Sequence, residues 1–545
     1  MKRIIFFIQF FILTAFIISA VEVDKSELQS AGSDETIVFI NYTGPHSKID
    51  SLASIKGIGS SMGSEISKNT EKSARSGNSR YSVIHAVDPS EKSKLDADII
   101  IIGSEATVDH INNLRHIIAA YLSSAYGYSE KDAETLSVFI TVYNAVYRGK
   151  LADFQNKYKK IVSDSLSASR CGLSVNYKDW PGSSQIVIPL FDVTNGGLST
   201  IDTSVISDSQ VVKHMQEDDD KNIESRKDMV DIKEREAEQA TEKARDSQKN
   251  AVQEQKKLND EKEKTAEAQR EAQSAQKDAE KANQEAEEAR ALADANPQDK
   301  ELQKDAEAKE AEAEEKRNAA EEKMEAYQEQ KAAEEKQQKS AEEAKQTASE
   351  QQAVADKKTS EAQSERKEIA KDQQEVIKQE IANASAPSAY AIQLVDESAL
   401  LSGLVKINTN TGDVIKSSPV KVIRNRTMYK AGDNFIAIAG ENSGNGAIKL
   451  VLLSSDTMEI TKESNETVAE KSVLIQDGNE FYCVIQDGSD CYLAKYDQEL
   501  NLKLKSSSKV KAATPITISG QHIIVSGASG GILLLEKSDL KETVK

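Results

Sequence analysis

The 545-residue chain carries 70 Lys and Arg against 90 Asp and Glu, a formal net charge of −20 with an isoelectric point near 5.0. Its length allows about three domains of ordinary size. The acidic balance argues against nucleic acid and against sustained contact with anionic lipid, which both need basic stripes to meet phosphate; it fits plain solubility.

Residues 1–20 read as an export signal. Lys2 and Arg3 form a basic start, residues 4–18 an apolar stretch, and Ser19 and Ala20 a small-residue end. Cleavage after Ala20 leaves an exported chain with no stable membrane insertion. Retained, the segment is an inner-membrane anchor, short for a span at about 15 residues.

Residues 21–211 predict an α/β or α+β domain. Strand-like runs fall at 36–42, 81–87, 98–102 and 185–190, and helical spacing at 107–126, 129–147 and 151–166, the second opening on Ser129 as N-cap. Gly57-Ile58-Gly59-Ser60-Ser61-Met62-Gly63 misses the dinucleotide spacing, because Met62 stands where the third Gly belongs, and reads as a helix-start turn.

Residues 212–386 change abruptly to Ala, Glu, Lys and Gln. A small or apolar residue recurs every seventh position from Ala237 through Ala244, Ala251, Leu258, Thr265, Ala272, Ala279 and Ala286 to Ala293. That spacing keeps one seam on one side of a helix, the pattern of a coiled coil. It resumes at Ala306 and runs to Val376 with one polar lapse, Glu334. The break at 296–297 predicts Asn296 as N-cap and Pro297 at the first helical position of a second helix. The two helices fold back as a hairpin or continue as a kinked rod that makes a homo-oligomer; the tether favours the hairpin.

Residues 387–545 hold four strand runs beginning at 390, 434, 480 and 521, steps of 44, 46 and 41, each followed by a turn and a partner strand. Period and hairpin content predict a β-propeller-like domain, with a β-sandwich as the alternative. Gly432, Gly478 and Gly520 sit where entry turns are required. Cys483 and Cys491 flank a turn at 487–490 and bridge only if the hairpin register sets them opposite.

No stretch carries a catalytic, metal or cofactor motif. His110 and His116 lie six apart and point to different sides of a helix, His46 and His85 have no ligand-type neighbour in sequence, and Asp218, Asp219 and Asp220 lack calcium-loop spacing. Trp180, the one tryptophan, has Tyr177 and Pro181 beside it. Exposed, Trp180 and Tyr177 would contact a partner; buried, Trp180 would plug the core.

Phe39-Ile40-Asn41-Tyr42-Thr43-Gly44-Pro45, Ile102-Gly103-Ser104, Tyr143-Asn144-Ala145-Val146-Tyr147-Arg148-Gly149, and Trp180-Pro181-Gly182 leading into Gln185-Ile186-Val187-Ile188-Pro189-Leu190 resemble the eighty-three/hundred-kilodalton immunodominant antigen family of Lyme-disease spirochaetes. The charged middle is similar in kind but differs in length and repeat, and the β segment matches more loosely, around Leu404 to Gly412 and Leu493 to Tyr496. The resemblance implies an exported envelope protein of the periplasm or outer membrane and supplies no catalytic residues. The expectation is a non-enzymatic scaffold whose rod separates two end domains that bind other envelope proteins. Two alternatives stand beside it: an inner-membrane-anchored linker resembling TolA-type proteins, and a cell-wall or protein-processing enzyme sited in the N-terminal domain.

Overall fold

The computed structural model describes residues 37–543 apart from 47–48, 92, 192, 194–196 and 442–446, so the export-signal reading of residues 1–20 lies outside them. Contacts divide the chain into one unit of Met1–Met229 with Ile369–Lys545 and a second of Val230–Glu368.

In the first unit, α1 (Leu52–Ile66) is followed by β1 (Ala74–Gly77), β2 (Tyr81–Ala86) and β3 (Asp96–Ile102). Then come α2 (Ile111–Tyr126), α3 (Glu130–Val146), α4 (Leu151–Lys157), α5 (Lys160–Ser163), β4 (Ser184–Leu190), α6 (Thr203–Ile206) and α7 (Ser209–Gln216). The four strands form one sheet in chain order, every neighbour antiparallel. Ser129 caps α3 as its sequence demands, its side chain accepting from the Asp132 N–H.

Three sequence expectations fail here because of partners distant in sequence. Residues 37–46 form no strand of a sheet, though Ile40 bridges to Asn176; their apolar side chains are used for docking instead. The helix expected over 151–166 breaks at Tyr158, whose extended backbone bridges Leu95, with the Lys159 N–H donating to the Leu95 carbonyl. The glycine run is no helix-start turn: it lies inside α1, whose N-cap is Ser51. A Cβ on Gly59 would stand 2.0 Å from the Ile117 carbonyl oxygen, and one on Gly63 2.6 Å from that of Tyr121. The glycines let α1 lie directly on the backbone of α2.

Helix α8 (Ile223–Ala295) and helix α9 (Lys300–Ser385) are antiparallel partners. Within the second unit Lys233 meets Glu365, Glu236 meets Lys358, Glu271 meets Lys323 and Glu285 meets Lys309, partner numbers falling as the first rise. This is the hairpin, not the kinked rod. Ala244 packs with Ala240 and Ala355, and the heptad positions Ala272, Ala293, Ala306, Ala348 and Ala362 are buried while Ala275, Ala282 and Ala289 are half-buried. At 1.5 Å per residue the 73-residue α8 is about 110 Å long. The turn differs from expectation by three residues. Asn296 donates to the Leu292 carbonyl and closes α8, while Asp299, accepting from the Glu301 and Leu302 N–H groups, caps α9. A carboxylate at a helix start is favoured by its exposed N–H groups.

The C-terminal part of the first unit is all β. A seven-stranded sheet holds β5 (Ser388–Asp396), β6 (Leu401–Asn408), β7 (Val414–Ser417), β8 (Ile423–Ala431), β9 (Asn434–Ala439), β10 (Lys449–Ser454) and β11 (Ile460–Glu463). A five-stranded sheet holds β12 (Thr467–Val468), β13 (Ile475–Asp477), β14 (Glu480–Asp487), β15 (Asp490–Tyr496) and β16 (Leu502–Lys509). A three-stranded sheet holds β17 (Thr517–Ser519), β18 (His522–Ser526) and β19 (Ile532–Glu536).

The expected period is real. Gly432 and Gly478 take positive φ at the first position of two-residue hairpin loops, the requirement of a type II′ turn. Ser464 and Ser506 occupy one place in successive repeats: each buried hydroxyl accepts a strand N–H, from Leu450 or Leu493, and donates to the carbonyl two residues on. The first sheet bends over where β6 and β8 share only the Ser402–Ile423 pair, and Tyr390 of β5 packs at a tilt on Phe435 of β9 with centroids 4.9 Å apart. Apolar clusters then join this sheet to the second and the second to the third.

Closure does not follow. Among the described residues no strand pairing joins 517–542 to 388–396, so the propeller expectation is corrected to a row of open sheets. A repeat period specifies how each sheet packs on the next, not that the last returns to the first. The Cys483–Cys491 bridge is also excluded. Cys483 is opposite Ala494 and Cys491 opposite Gln486, which puts the two side chains on opposite faces of the sheet, and both thiols are free.

The core formed by Leu404, Val422, Phe435 and Val451 also contains Tyr42, with Tyr177 packed against it. The N-terminal and C-terminal domains therefore share a hydrophobic core. The expected separation of two end domains by the rod is not what the chain builds.

Candidate functional site

Residues of two of the sequence motifs hold the fold together at two places. At the first, Tyr42 is buried and its hydroxyl donates to the Pro45 carbonyl at 2.7 Å. The Thr43 hydroxyl donates to the Pro419 carbonyl at 2.5 Å, and the Ala447 N–H to that of Pro45 at 3.1 Å. Asn41 holds the same segment to α2 by accepting the Ile111 N–H at 2.7 Å. His46, edge-on to Tyr42 with ring centroids 4.9 Å apart, contacts Asp109 at 3.1 Å. The hydrogen bond to Asp109 raises the His46 pKa above its ordinary value against a smaller effect of burial. Burial raises Tyr42 and Tyr177 further into the alkaline range.

At the second place, Asn144 sits inside α3 with no exposed surface. Its side chain donates to the Ile140 carbonyl at 2.9 Å and the Val187 carbonyl at 2.8 Å, and accepts the Val187 N–H at 2.7 Å. β4 is the last strand of its sheet, and Asn144 satisfies its outer edge at Val187, between main-chain bridges at Gln185 and Leu190. Arg148 donates to the carbonyls of Ser169, Arg170 and Gly172. The Tyr147 hydroxyl donates to Asp208 at 2.6 Å.

A third cluster went unforeseen in the sequence. His85 on β2 and Asp98 on β3 are wholly buried, with Nδ1 and Oδ1 2.5 Å apart. Tyr121 and Tyr126 of α2 donate to the other Asp98 oxygen at 2.6 and 2.5 Å. The second ring nitrogen of His85 faces the Thr70 carbonyl at 2.9 Å. Both ring nitrogens thus face acceptors, which calls for the imidazolium. Burial lowers the His85 pKa, but the hydrogen bond and charge of Asp98 outweigh it and the net shift is upward. An Asp–His pair resembles two of the three members of a hydrolytic triad, yet where the nucleophile would stand there is a main-chain carbonyl. The signal was available in sequence: His85 and Asp98 stand among the apolar residues of two neighbouring strand-like runs.

Trp180 is completely buried, its indole N–H donating to the Ser174 carbonyl at 2.7 Å. Tyr177 is half-buried against Tyr42, ring centroids 6.3 Å apart. His110 is the N-cap of α2, accepting the Asn112 N–H. The aspartates at 218–220 lie between α7 and α8, where Asp218 accepts from Asn222. Nearby, Asp372 on α9 gathers Arg226 at 2.7 Å, Lys221 at 3.1 Å and Gln216 at 2.8 Å. Among the described residues, no group of three or more His, Cys, Asp or Glu is placed to share a metal, and no helix is long and apolar enough to cross a membrane.

Residues 25–516, spanning both motif clusters, match the family described as Borrelia P83/100 protein. The chain belongs to that family. No curated protein matches it. Among solved structures, the computationally designed Ika4 protein is similar at 8% identity and a TM-score of 0.19, over 28% of this chain and 92% of that one. A eukaryotic initiation factor is similar at 9% identity and a TM-score of 0.16, over 30% of this chain and 55% of the other. At such scores neither likeness bears on the P83/100 fold or its activity.

Proposed function

We propose that this P83/100 family member is an exported envelope protein of structural or interaction type, residing in the periplasm or at the outer membrane. Its surfaces for other envelope proteins are the paired helices and the stacked sheets. The observation that supports this reading is the use made of the motif side chains. Asn144, Arg148, Tyr42 and Thr43 are all spent on holding the fold together, and the Asp–His pair is sealed from substrate.

Chemical cross-linking of the full chain in envelope fractions, followed by mass spectrometry, tests the proposal. It expects reproducible links to one or a few envelope proteins, mapping to α8, α9 or the sheets. A peptidoglycan-degrading band in zymography with the purified chain would replace it with the enzyme reading. The anchored-linker reading, supported by the Ala/Glu/Lys/Gln helices, requires residues 1–20 on the mature protein; terminal sequencing decides it.

A further inference from the structure

The four β repeats share one turn, in which the N–H of Asn408, Ser454, Asp497 or Glu536 reaches a carbonyl four or five residues on. Counting back through the strand pairs aligns Ser388, Asn434, Glu480 and His522. Tyr390 then matches Ile436, Tyr482 and Ile524, and Ile392 matches Ile438, Val484 and Ser526. In the three later repeats this strand is flanked on its other side by a further antiparallel one: β8, β12 with β13, or β17. Among the described residues β5 has no such neighbour; it ends its sheet, and the chain enters it straight from α9.

The main chain of β5 is set for one. The Pro387 carbonyl accepts the Thr409 N–H, so alternation turns the N–H and C=O of Tyr390 and Ile392 away from β6. At the matching places, Val484 donates to the Ser472 hydroxyl and accepts the Ala469 N–H. Ser526 likewise donates to the Thr514 hydroxyl and accepts the Lys511 N–H. Among the described residues nothing does this for Ile392. Tyr390 is 36% exposed, where Tyr482 is wholly buried.

Cations without carboxylates stand beside this edge. Lys406 lies over the Tyr390 ring as Lys495 lies over that of Tyr482, 5.9 and 6.0 Å from the centroids. Lys495 is paired with Glu480 at 2.6 Å, but the residue matching Glu480 is Ser388. The Lys421 side chain crosses Gly403, opposite Gln393, and its Nζ is buried without a hydrogen-bond partner. Asp396, at the far end of β5, is turned into its own loop and accepts from Ser398 and Ala399.

We propose that the free edge of β5 takes up an extended, acidic segment of another polypeptide as an antiparallel strand, in the place that β8, β13 and β17 hold in the later repeats. Main-chain bonds to Tyr390 and Ile392 supply affinity, and carboxylates meeting Lys406 and Lys421 supply selection. A second copy of β5 would bring the same lysines to the edge and be repelled. The proposal rests on the reading of the chain as an interaction protein, and names one surface and the chemistry of its partner.

Fluorescence anisotropy of the purified full chain with a labelled peptide of about ten residues alternating Val and Glu tests this, beside its Val–Lys counterpart. The expected result is saturable binding of the Glu peptide, at least tenfold tighter than of the Lys peptide. Lys421→Glu and Ile392→Pro, which removes one outward N–H, should each weaken it at least tenfold, circular dichroism confirming the fold. Bound peptide should also slow amide exchange at Tyr390 and Ile392 of the native chain. No binding, equal binding of both peptides, or affinity indifferent to either variant overturns the proposal. A photo-crosslinker at Val395 that reaches residues 21–36 of the same chain overturns it too, assigning the edge to the chain's own start. Envelope cross-links confined to α8 and α9, with the peptide unbound, would sink this edge and leave the interaction reading standing.

Discussion

Asn144 and Val187 exchange two hydrogen bonds, amide to carbonyl at 2.8 Å and N–H to amide oxygen at 2.7 Å, so one helix side chain satisfies the edge of β4 between its main-chain bridges at Gln185 and Leu190. The Asn144→Leu variant keeps the volume and strands both Val187 groups in the core. Each unsatisfied buried group costs about 1–3 kcal/mol. Thermal denaturation of the variant should show a midpoint lowered by several degrees, and hydrogen exchange at Val187 should quicken. An unchanged midpoint would mean that Asn144 is not what satisfies the β4 edge at Val187.

Gly59 predicts a second, steeper loss. A Cβ there meets the Ile117 carbonyl oxygen at 2.0 Å, and because that obstacle is backbone, α1 must move off α2. Gly59→Ala therefore destabilises by more than the 1–3 kcal/mol typical of overpacking, despite alanine's higher helix propensity. Gly57→Ala, with nothing near its Cβ, is neutral or slightly stabilising. Urea denaturation of the two variants separates packing from propensity.

His85 makes stability fall on the alkaline side. The folded chain holds its proton more tightly than the unfolded chain, whose value is near 6.5. The contribution is complete below that pH and is lost as pH rises through the raised folded value. His46, held to Asp109, acts in the same direction; His116, lowered mainly by burial, acts oppositely. Urea midpoints measured from pH 6 to 9 should decline for the native chain and decline less for His85→Gln. Equal slopes would remove the imidazolium assignment.

Ala244 and Ala355 touch across the helix pair. Cysteines at both positions should oxidise to a disulfide within one chain, seen as a faster-migrating monomer on a non-reducing gel, whereas crossed dimers would assign the seam to two chains. The native thiols should behave otherwise. Cys483 is wholly buried, its pKa pushed up to about 12 by that burial, so thiol reagents under native conditions should label Cys491 well before it.

Periodic features were legible because period is a property of the sequence itself. The seven-residue seam gave the two long helices and their break, though α8 starts at Ile223 rather than near 212 and α9 at Lys300 rather than Pro297, and the 41–46-residue steps gave the hairpins of the stacked sheets. What stayed hidden depends on partners distant in sequence. The strand-like run at Thr36 to Tyr42 has the composition of a strand, yet Tyr42 finds its neighbours at Val420 and Val422. The glycines of α1 read as a turn until α2 is laid against them. Whether a sheet row closes depends on its two ends meeting, and no local pattern encodes that.

The helix pair also constrains how relatives of this chain can change length. Glu285 answers to Lys309, Glu271 to Lys323 and Glu236 to Lys358, like rungs fixed between two rails. Removing one heptad from a single rail would shift every rung beyond it. Insertions and deletions in this segment should therefore occur as mirrored events, equal in size and equidistant from the Asn296–Asp299 bend, and the bend itself should be the one place where unmatched residues are tolerated.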